Sequence, residues 1–112
     1  MADSVFGKIA RGELRADLVY QDDLAIAFRD IAPQAPTHIL VIPRRPIERL
    51  SAATDADTEL LGHLLQVARK VAKEQRLSDF RLVVNDGADA GQTVFHLHVH
   101  LLAGRPFDWP PG

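Results

Sequence analysis

Near its end the chain carries the segment His96-Leu97-His98-Val99-His100-Leu101-Leu102, and this alternation of histidine with aliphatic residues predicts how the polypeptide folds. Successive side chains of a β-strand point to opposite faces of the sheet. On a strand over 94–103, the three histidines would therefore share one face, while Leu97, Val99 and Leu101 would pack into a core on the other. Imidazoles placed side by side need partners for both ring nitrogens, so the pattern indicates a binding or catalytic site.

The chemistry of this histidine face has two interpretations. Histidine is the commonest protein metal ligand, and His38 could complete a zinc site. The outer pair of the three, four residues apart on one strand, would lie about 13 Å apart at the backbone, which disfavours that site. The alternative is a neutral His98 imidazole that attacks phosphorus with one nitrogen while the other donates to a backbone carbonyl. Crowded imidazoles disfavour the charged form, so we favour a nucleophile.

Composition restricts the class of protein. Apolar residues make up 46% and charged residues 25% of the chain, which is ordinary for a globular protein, and the length predicts one domain over 1–112. The absence of cysteine excludes disulfides and thiolate chemistry. A net charge of -2 gives no basic field for nucleic acid, although a small phosphate ester remains possible. We expect a cytoplasmic protein with neither a nucleic-acid nor a membrane partner.

The periodicity along the chain predicts an α+β domain. The predicted helices cover 5–11, after the N-cap Ser4, and 54–76, after a Thr54-x-x-Asp57 cap. The predicted strands cover 18–21, 24–29, 37–42, 80–85 and 94–103. Elements in this order predict an antiparallel sheet covered by helices. On the long helix, Leu64 and Leu65 belong to the predicted core face, and His63 is predicted to face solvent without a function.

The chain resembles the Hint branch of the histidine triad (HIT) superfamily from about Phe6 to Gly112. Besides the histidine segment, the resemblance rests on Asp30-Ile31-x-Pro33-Gln34-Ala35-Pro36-Thr37-His38, Val84-Asn85-x-Gly87, Gly91-Gln92-Thr93-Val94 and Trp109-Pro110-Pro111-Gly112. It implies a five-stranded antiparallel sheet with two helices. It also implies a homodimer in which the two sheets join into one.

The resemblance implies a hydrolase of phosphorus–nitrogen bonds. The implied activity is that of a purine nucleoside phosphoramidase, whose substrates would be nucleotides such as adenosine monophosphate joined to an amine or lysine. The reaction would pass through a covalent nucleotidyl-histidine on His98, without a metal or another cofactor. Two alternatives stay open: a dinucleoside polyphosphate hydrolase, and a nucleotide-binding interaction protein with slow turnover. The ending from Trp109 onward favours the Hint side.

The resemblance also implies roles for individual residues. The implied catalytic set is His98 as nucleophile, supported by His38, His96 and His100, with the backbone carbonyl of His96 accepting from His98. The implied nucleotide-binding set is Phe6, Ile9, Phe28, Asp30, Ile31, Leu40, Asn85, Gly91, Gln92, Thr93, His98 and His100.

Within that binding set, the apolar members would form a slot for the base, and Asp30 would accept hydrogen bonds from the ribose hydroxyls. Asn85 and the loop from Gly91 to Thr93 would contact the phosphate. Two positions depart from the family's usual pattern, because Thr93 replaces a more common serine and Arg29 replaces a histidine near the ribose. Trp109 would shape the leaving-group side of the partner's site.

Overall fold

The structure is a computed structural model, and it describes residues 3–112. The helices are α1 (Val5–Ala10) and α2 (Thr58–Glu74), and the strands are β1 (Leu18–Gln21), β2 (Ala25–Arg29), β3 (Thr37–Pro43), β4 (Phe80–Val83) and β5 (Val99–Ala103). All strands pair antiparallel, in the order β1-β2-β3-β5-β4. The predicted α+β architecture, with a five-stranded sheet and two helices, is confirmed.

The two faces of the sheet carry different layers. In the register of the sheet, Phe28 pairs with Leu40, and Leu40 pairs with His100, so these three side chains share one face. The short helix α1 packs on that face through Phe6 and Ala10. The opposite face packs against α2 and forms the larger core, made of Ala25, Ala27, Ile39, Val41, Ile47, Leu64, Val67, Ala68, Val71, Ala72, Leu97, Val99 and Leu101. The histidine segment therefore lies between the larger apolar core on the α2 side and the smaller, partly polar layer on the α1 side.

The helix α2 begins later than the sequence predicts. The capping box is present, because Thr54 N–H donates to the Asp57 carboxylate at 2.8 Å and the Thr54 side chain accepts from the backbone of Asp57. The box starts a short 3-10 turn, and the α-helix follows from Thr58. The predicted start at 54 is therefore four residues too early. The predicted core face is also too wide, since Leu65 is 54% exposed while Leu64 is 2% exposed.

The predicted solvent-facing position of the His63 side chain is wrong, because the side chain is bonded within the protein. Its Nε2 lies 2.6 Å from the carboxylate of Asp22, which also accepts from the hydroxyl of Tyr20 at 2.9 Å. Burial opposes ionisation of Asp22, but hydrogen bonds from Leu24, Tyr20 and other donors outweigh it and lower its pKa to about 2. Helical periodicity describes only α2 itself, whereas the β1–β2 turn folds back over this part of the helix.

The histidine strand is shorter than predicted, because β5 begins at Val99 rather than at 94. The imidazole of His96 donates to the carbonyl of Pro43 at 2.7 Å, and Leu97 N–H donates to the carbonyl of Ile47 at 2.6 Å. These bonds draw the chain toward the segment that follows β3 and out of the regular ladder. The neighbouring strand β4 is also shorter than predicted, because it ends at Val83 and not at residue 85.

None of the helices within residues 3–112 combines the length and the apolar character that a membrane span requires.

Replacement of Leu64 by alanine tests the core beneath the sheet. Because Leu64 is 2% exposed, Leu64→Ala should lower the free energy of unfolding by about 2–5 kcal/mol. The matched control is Leu24→Ala at the hairpin, where the side chain is 50% exposed, and its effect should stay within about 0.5 kcal/mol. Urea unfolding measures both variants, and equal losses would contradict this division of the core.

Candidate active site

His98 lies one residue before β5, on the face of the sheet that carries α1. Its Nδ1 lies 2.7 Å from the backbone oxygen of His96. A carbonyl only accepts, so the ring proton must be on Nδ1, and Nε2 of the neutral ring keeps a free lone pair. Burial lowers the pKa of His98, with partial compensation from the His96 carbonyl, so the ring is neutral at pH 7. A neutral imidazole with a free Nε2 has the form that a nucleophile requires.

His96 has a different environment, which gives its side chain a structural use. The ring is 1% exposed, and its Nε2 donates to the carbonyl of Pro43. Burial lowers the pKa of His96 as well. The imidazole therefore anchors the backbone whose oxygen orients His98, and the predicted acceptor role of the His96 carbonyl is present in the structure.

His38 orients His100 rather than His98. The Nδ1 of His38 accepts from the backbone N–H of Gln34 at 3.0 Å, so the ring proton of His38 lies on Nε2. That nitrogen is 2.9 Å from Nδ1 of His100 and donates to it. A neutral His100 must then carry its own proton on Nε2. The chain of bonds from Gln34 thereby determines where both protons sit.

The Nε2–H of His100 is a buried donor with no hydrogen-bond partner among the described residues. Burial, together with His98 and His38, lowers the pKa of His100 to about 4. The rings of His98 and His100 lie edge to face, with centroids 4.8 Å apart. A lone pair on one ring and a donor on the next are therefore adjacent, which suits a bound phosphoryl group.

The shared histidine face is thus only partly as predicted. His100 alone of the three lies within a regular strand, and His96 turns away to Pro43. Leu97, Val99 and Leu101 all pack in the α2 core as predicted.

An apolar pocket of about 180 Å³ lies between α1 and the sheet. Its lining includes the five predicted base-slot residues Phe6, Ile9, Phe28, Ile31 and Leu40. The ring of Phe6 contacts Phe28 edge to face at 5.4 Å and contacts His98 at 5.0 Å, which joins the pocket to the histidines. Ile31 is fully exposed, so it forms a rim and not a wall.

Asp30 stands between the pocket and the histidines. Its Oδ1 accepts from Ala32 N–H at 2.9 Å, and its Oδ2 lies 3.5 Å from Nε2 of His38. The guanidinium of the adjacent Arg29 donates to Gln75 at 2.9 Å and lies 3.6 Å from Asp17. Arg29, which replaces the histidine usual in the family, therefore contacts the end of α2 and the segment before β1.

The loop after β4 brings Asn85 and Gly91 together. Asn85 follows the end of β4 by two residues, and the last residue of that strand, Val83, pairs with His100. Gly91 has a left-handed φ of +99°, and a Cβ there would lie 3.5 Å from the amide nitrogen of Asn85. Thr93 follows on the exposed side of this loop.

Gln92 faces inward, unlike the phosphate contact predicted for its amide. The residue is 3% exposed, and its Oε1 accepts from Gly87 N–H at 2.8 Å. Its Nε2 donates to the carbonyls of Glu48 at 2.8 Å and Val94 at 3.1 Å. The amide is engaged within the protein because the turn at Gly87 returns beneath it, which local sequence does not reveal.

Trp109 lies in the tail and is 80% exposed. Arg81 of β4 holds this tail, since its guanidinium donates to the carbonyl of Asp108 at 3.0 Å and lies 6.0 Å from the centroid of the Trp109 ring. The tail is therefore fastened at the β4 edge of the sheet.

One group of side chains could hold a metal ion, namely Asp30, His38 and His100. One ligand atom from each lies within 4.8 Å of the others, and no second group of this kind occurs within residues 3–112. The set suits zinc by donor type, but coordination would replace the hydrogen bond between the two histidines. His96 and His98, which the sequence offers as ligands, are not in this group.

Two groups that orient the site were missed by the sequence analysis: the N–H of Gln34 and the carbonyl of Pro43. Both belong to the backbone, so no side-chain pattern indicates them.

Comparisons with known proteins identify relatives of this chain in sequence and in fold. The HIT domain family matches residues 11–107. An uncharacterised HIT-like protein of Synechocystis sp. is 59% identical over 111 residues, which cover 98% of this chain and 97% of that protein. A HIT family hydrolase from Legionella pneumophila has a similar structure, with a TM-score of 0.93 and 48% identity, covering 96% of this chain and 98% of that one. A histidine triad nucleotide-binding protein from Candida albicans also has a similar structure, with a TM-score of 0.82 and 28% identity. The match covers 96% of this chain and 82% of that one.

The protonation state of His100 provides a test of this site. In nitrogen-detected NMR, the His100 ring should be neutral at pH 6, carry its proton on Nε2 and titrate near pH 4. A midpoint near 6.5 in the folded protein, or a proton on Nδ1, would contradict the tautomers derived above.

The same shift affects stability. An unfolded histidine titrates near pH 6.5, so the folded state binds fewer protons, and the free energy of unfolding should fall as the pH drops from about 6.5 toward 4. In His100→Gln, this fall should be smaller.

Proposed function

Since the chain belongs to the HIT domain family, we propose that it is a purine nucleoside phosphoramidase, which hydrolyses the phosphorus–nitrogen bond of nucleotides such as AMP joined to an amine or lysine. A HIT family hydrolase and a histidine triad nucleotide-binding protein among its structural neighbours support a nucleotide hydrolase. The observation that carries the proposal is the free Nε2 of a neutral His98 beside the unpaired Nε2–H of His100. The Trp109-Pro110-Pro111-Gly112 ending supports the Hint branch.

In the proposed reaction, Nε2 of His98 attacks phosphorus, and the bond to the amine breaks as the bond to histidine forms. The positive charge that develops on the ring is stabilised through Nδ1–H and the His96 carbonyl. The departing amine requires a proton, which we assign to the Thr93 hydroxyl. Water then attacks phosphorus and gives one proton to the Thr93 oxygen, which restores the hydroxyl. The bond between phosphorus and Nε2 breaks at the same step, so the nucleotide is released and His98 regains its neutral form.

The charge on the phosphoryl oxygens needs donors that are already oriented. His100 offers its buried Nε2–H, and we assign a second donor to the amide of Asn85, which lies beside Gly91 just after the strand that pairs with His100. Because His100 stays neutral through its low pKa, its donor is available without a proton being gained first. No step assigned here requires a metal.

For substrate binding, we assign the purine to the apolar pocket and the ribose hydroxyls to Asp30. The pocket ends at Phe6, whose ring touches His98, so a base held there would place its 5′-phosphate toward the nucleophile. Partners of this site are therefore purine nucleoside monophosphate derivatives. A cytoplasmic location stays a prediction from composition.

We also propose a homodimer formed through β4. This strand is at the edge of the sheet and presents unpaired backbone groups, and Phe80 on it is 40% exposed. Arg81 fastens the tail at this same edge, which supports a role for Trp109 at the leaving-group side of the partner's site.

Loss of His98 tests the nucleophile. His98→Ala should reduce hydrolysis of a fluorogenic adenosine phosphoramidate by roughly 10⁴-fold or more, because the covalent step is lost. A chelator should leave the wild-type rate unchanged. The matched control is His63→Ala, which removes a histidine outside the site and should keep near-wild-type turnover in the folded protein.

Two results would change this assignment. Retained activity in His98→Ala, or loss of wild-type activity with chelator, would favour the metal group at Asp30, His38 and His100. A higher kcat/KM for diadenosine tetraphosphate than for the phosphoramidate would favour a dinucleoside polyphosphate hydrolase. Nucleotide binding with no turnover of either substrate would favour an interaction protein.

The dimer is tested by sedimentation velocity together with Trp109→Ala. The wild type should sediment as a dimer, and the variant should change the ratio of kcat/KM between small and bulky amine leaving groups while AMP affinity stays the same. A monomeric wild type, or an unchanged ratio, would count against the assigned position of the tail.

A further inference from the structure

The segment over 43–49, which starts at the last residue of β3, holds the loop that leads to the histidines. Four residues of the segment bond to residues 86–97: Pro43 carbonyl to His96 imidazole, Ile47 carbonyl to Leu97 N–H, Glu48 carbonyl to the Gln92 amide, and Arg49 guanidinium to the Asp86 carboxylate. Three of these contacts use backbone carbonyls of the segment, which every residue type supplies. Arg49 alone contributes a side chain, so its identity determines whether the fourth contact exists.

The contact between Arg49 and Asp86 is a fork of two bonds. Nη2 lies 3.1 Å from Oδ2 of Asp86, and Nε lies 3.4 Å from Oδ1. Oδ1 also accepts from the backbone N–H of Ser51 at 2.9 Å. With the Arg49 bond as the largest cause, these contacts lower the pKa of Asp86 to about 2. Both side chains are about a third exposed, so solvent screens the pair, and its main effect is on geometry rather than on global stability.

The guanidinium of Arg49 also lies directly against Gly87. A Cβ at Gly87 would be 2.5 Å from Nη2 of Arg49, and the residue has a φ of +98°. From the other side, Gly87 N–H donates to Oε1 of the buried Gln92. The peptide at Gly87 is therefore held between Arg49 and Gln92, and its positive φ favours glycine at this position.

We propose that Arg49 is a positioning residue for catalysis, acting with Gln92 to fix loop 86–93 so that Asn85 and Thr93 keep their orientation toward the phosphate. This inference rests on the phosphoramidase function proposed above. It assigns the buried amide of Gln92 to holding the loop rather than to contacting the substrate. It also assigns a function to an arginine that lies outside every motif of the sequence.

The principal test compares Arg49→Ala with Arg45→Ala. Arg45 lies in the same segment and pairs with Asp57, away from the loop, so it is a matched control. Arg49→Ala should lower kcat by about 10- to 100-fold through misplaced donors, while KM changes less than about 3-fold because the base pocket is intact. Arg45→Ala should leave both constants near the wild type, and added methylguanidine should restore part of the kcat of Arg49→Ala.

A second readout does not depend on turnover. Amide hydrogen exchange over 86–95 should be faster in Arg49→Ala than in Arg45→Ala, with similar urea midpoints for both variants. In a double mutant with Gln92→Ala, the losses in kcat should be less than additive, because both residues act on the same loop.

Unchanged exchange in Arg49→Ala would overturn the inference, as would a wild-type kcat or an equal loss in Arg45→Ala. If the wild-type protein hydrolyses no phosphoramidate, the proposed function fails, and hydrogen exchange alone decides whether Arg49 holds the loop.

Discussion

The hydrogen bond from Nδ1 of His98 to the carbonyl of His96 is the constraint on which the rest of the structure depends. It assigns the ring proton to Nδ1, which faces the backbone, and leaves the lone pair on Nε2. The bond requires a bent chain, because residues two apart on a regular strand do not approach each other in this way. The anchor of His96 on Pro43 supplies that bend. The early departure from the β-ladder is thus a condition for this orientation of the His98 ring.

Burial and hydrogen bonding divide the histidines into two pairs with separate tasks. The bonds of His96 and His98 leave a free lone pair on Nε2 of His98, while the bonds of His38 and His100 leave a free donor on Nε2 of His100. Burial lowers the pKa of all four, so neutral pH leaves each ring uncharged with its proton on a determined nitrogen. The arrangement is compatible with catalysis by oriented neutral groups, in which little reorganisation accompanies charge development.

The two faces of the sheet differ in how closely they are packed. The α2 face is apolar and closely packed, and it holds Leu97, Val99 and Leu101. The α1 face has a smaller core that leaves a pocket beside the histidines. Leu97, Val99 and Leu101 anchor the segment in the core, and the residues between them, His98 and His100, lie on the α1 side. Loop 86–93 is held separately, by polar contacts from the segment after β3.

The sequence by itself determined the alternation of histidine with aliphatic residues, the order of the strands and helices, and the identity of the site motifs. These features depend on local periodicity and residue type, which neighbouring residues alone express. Only the tertiary structure decided that β5 starts at Val99, that His38 serves His100, that His63 meets Asp22 and that the Gln92 amide is buried. Each of these depends on a distant segment returning to within hydrogen-bond distance. Every residue has a backbone carbonyl, so the sequence does not show which carbonyl will accept a given hydrogen bond. Only the folded chain shows this.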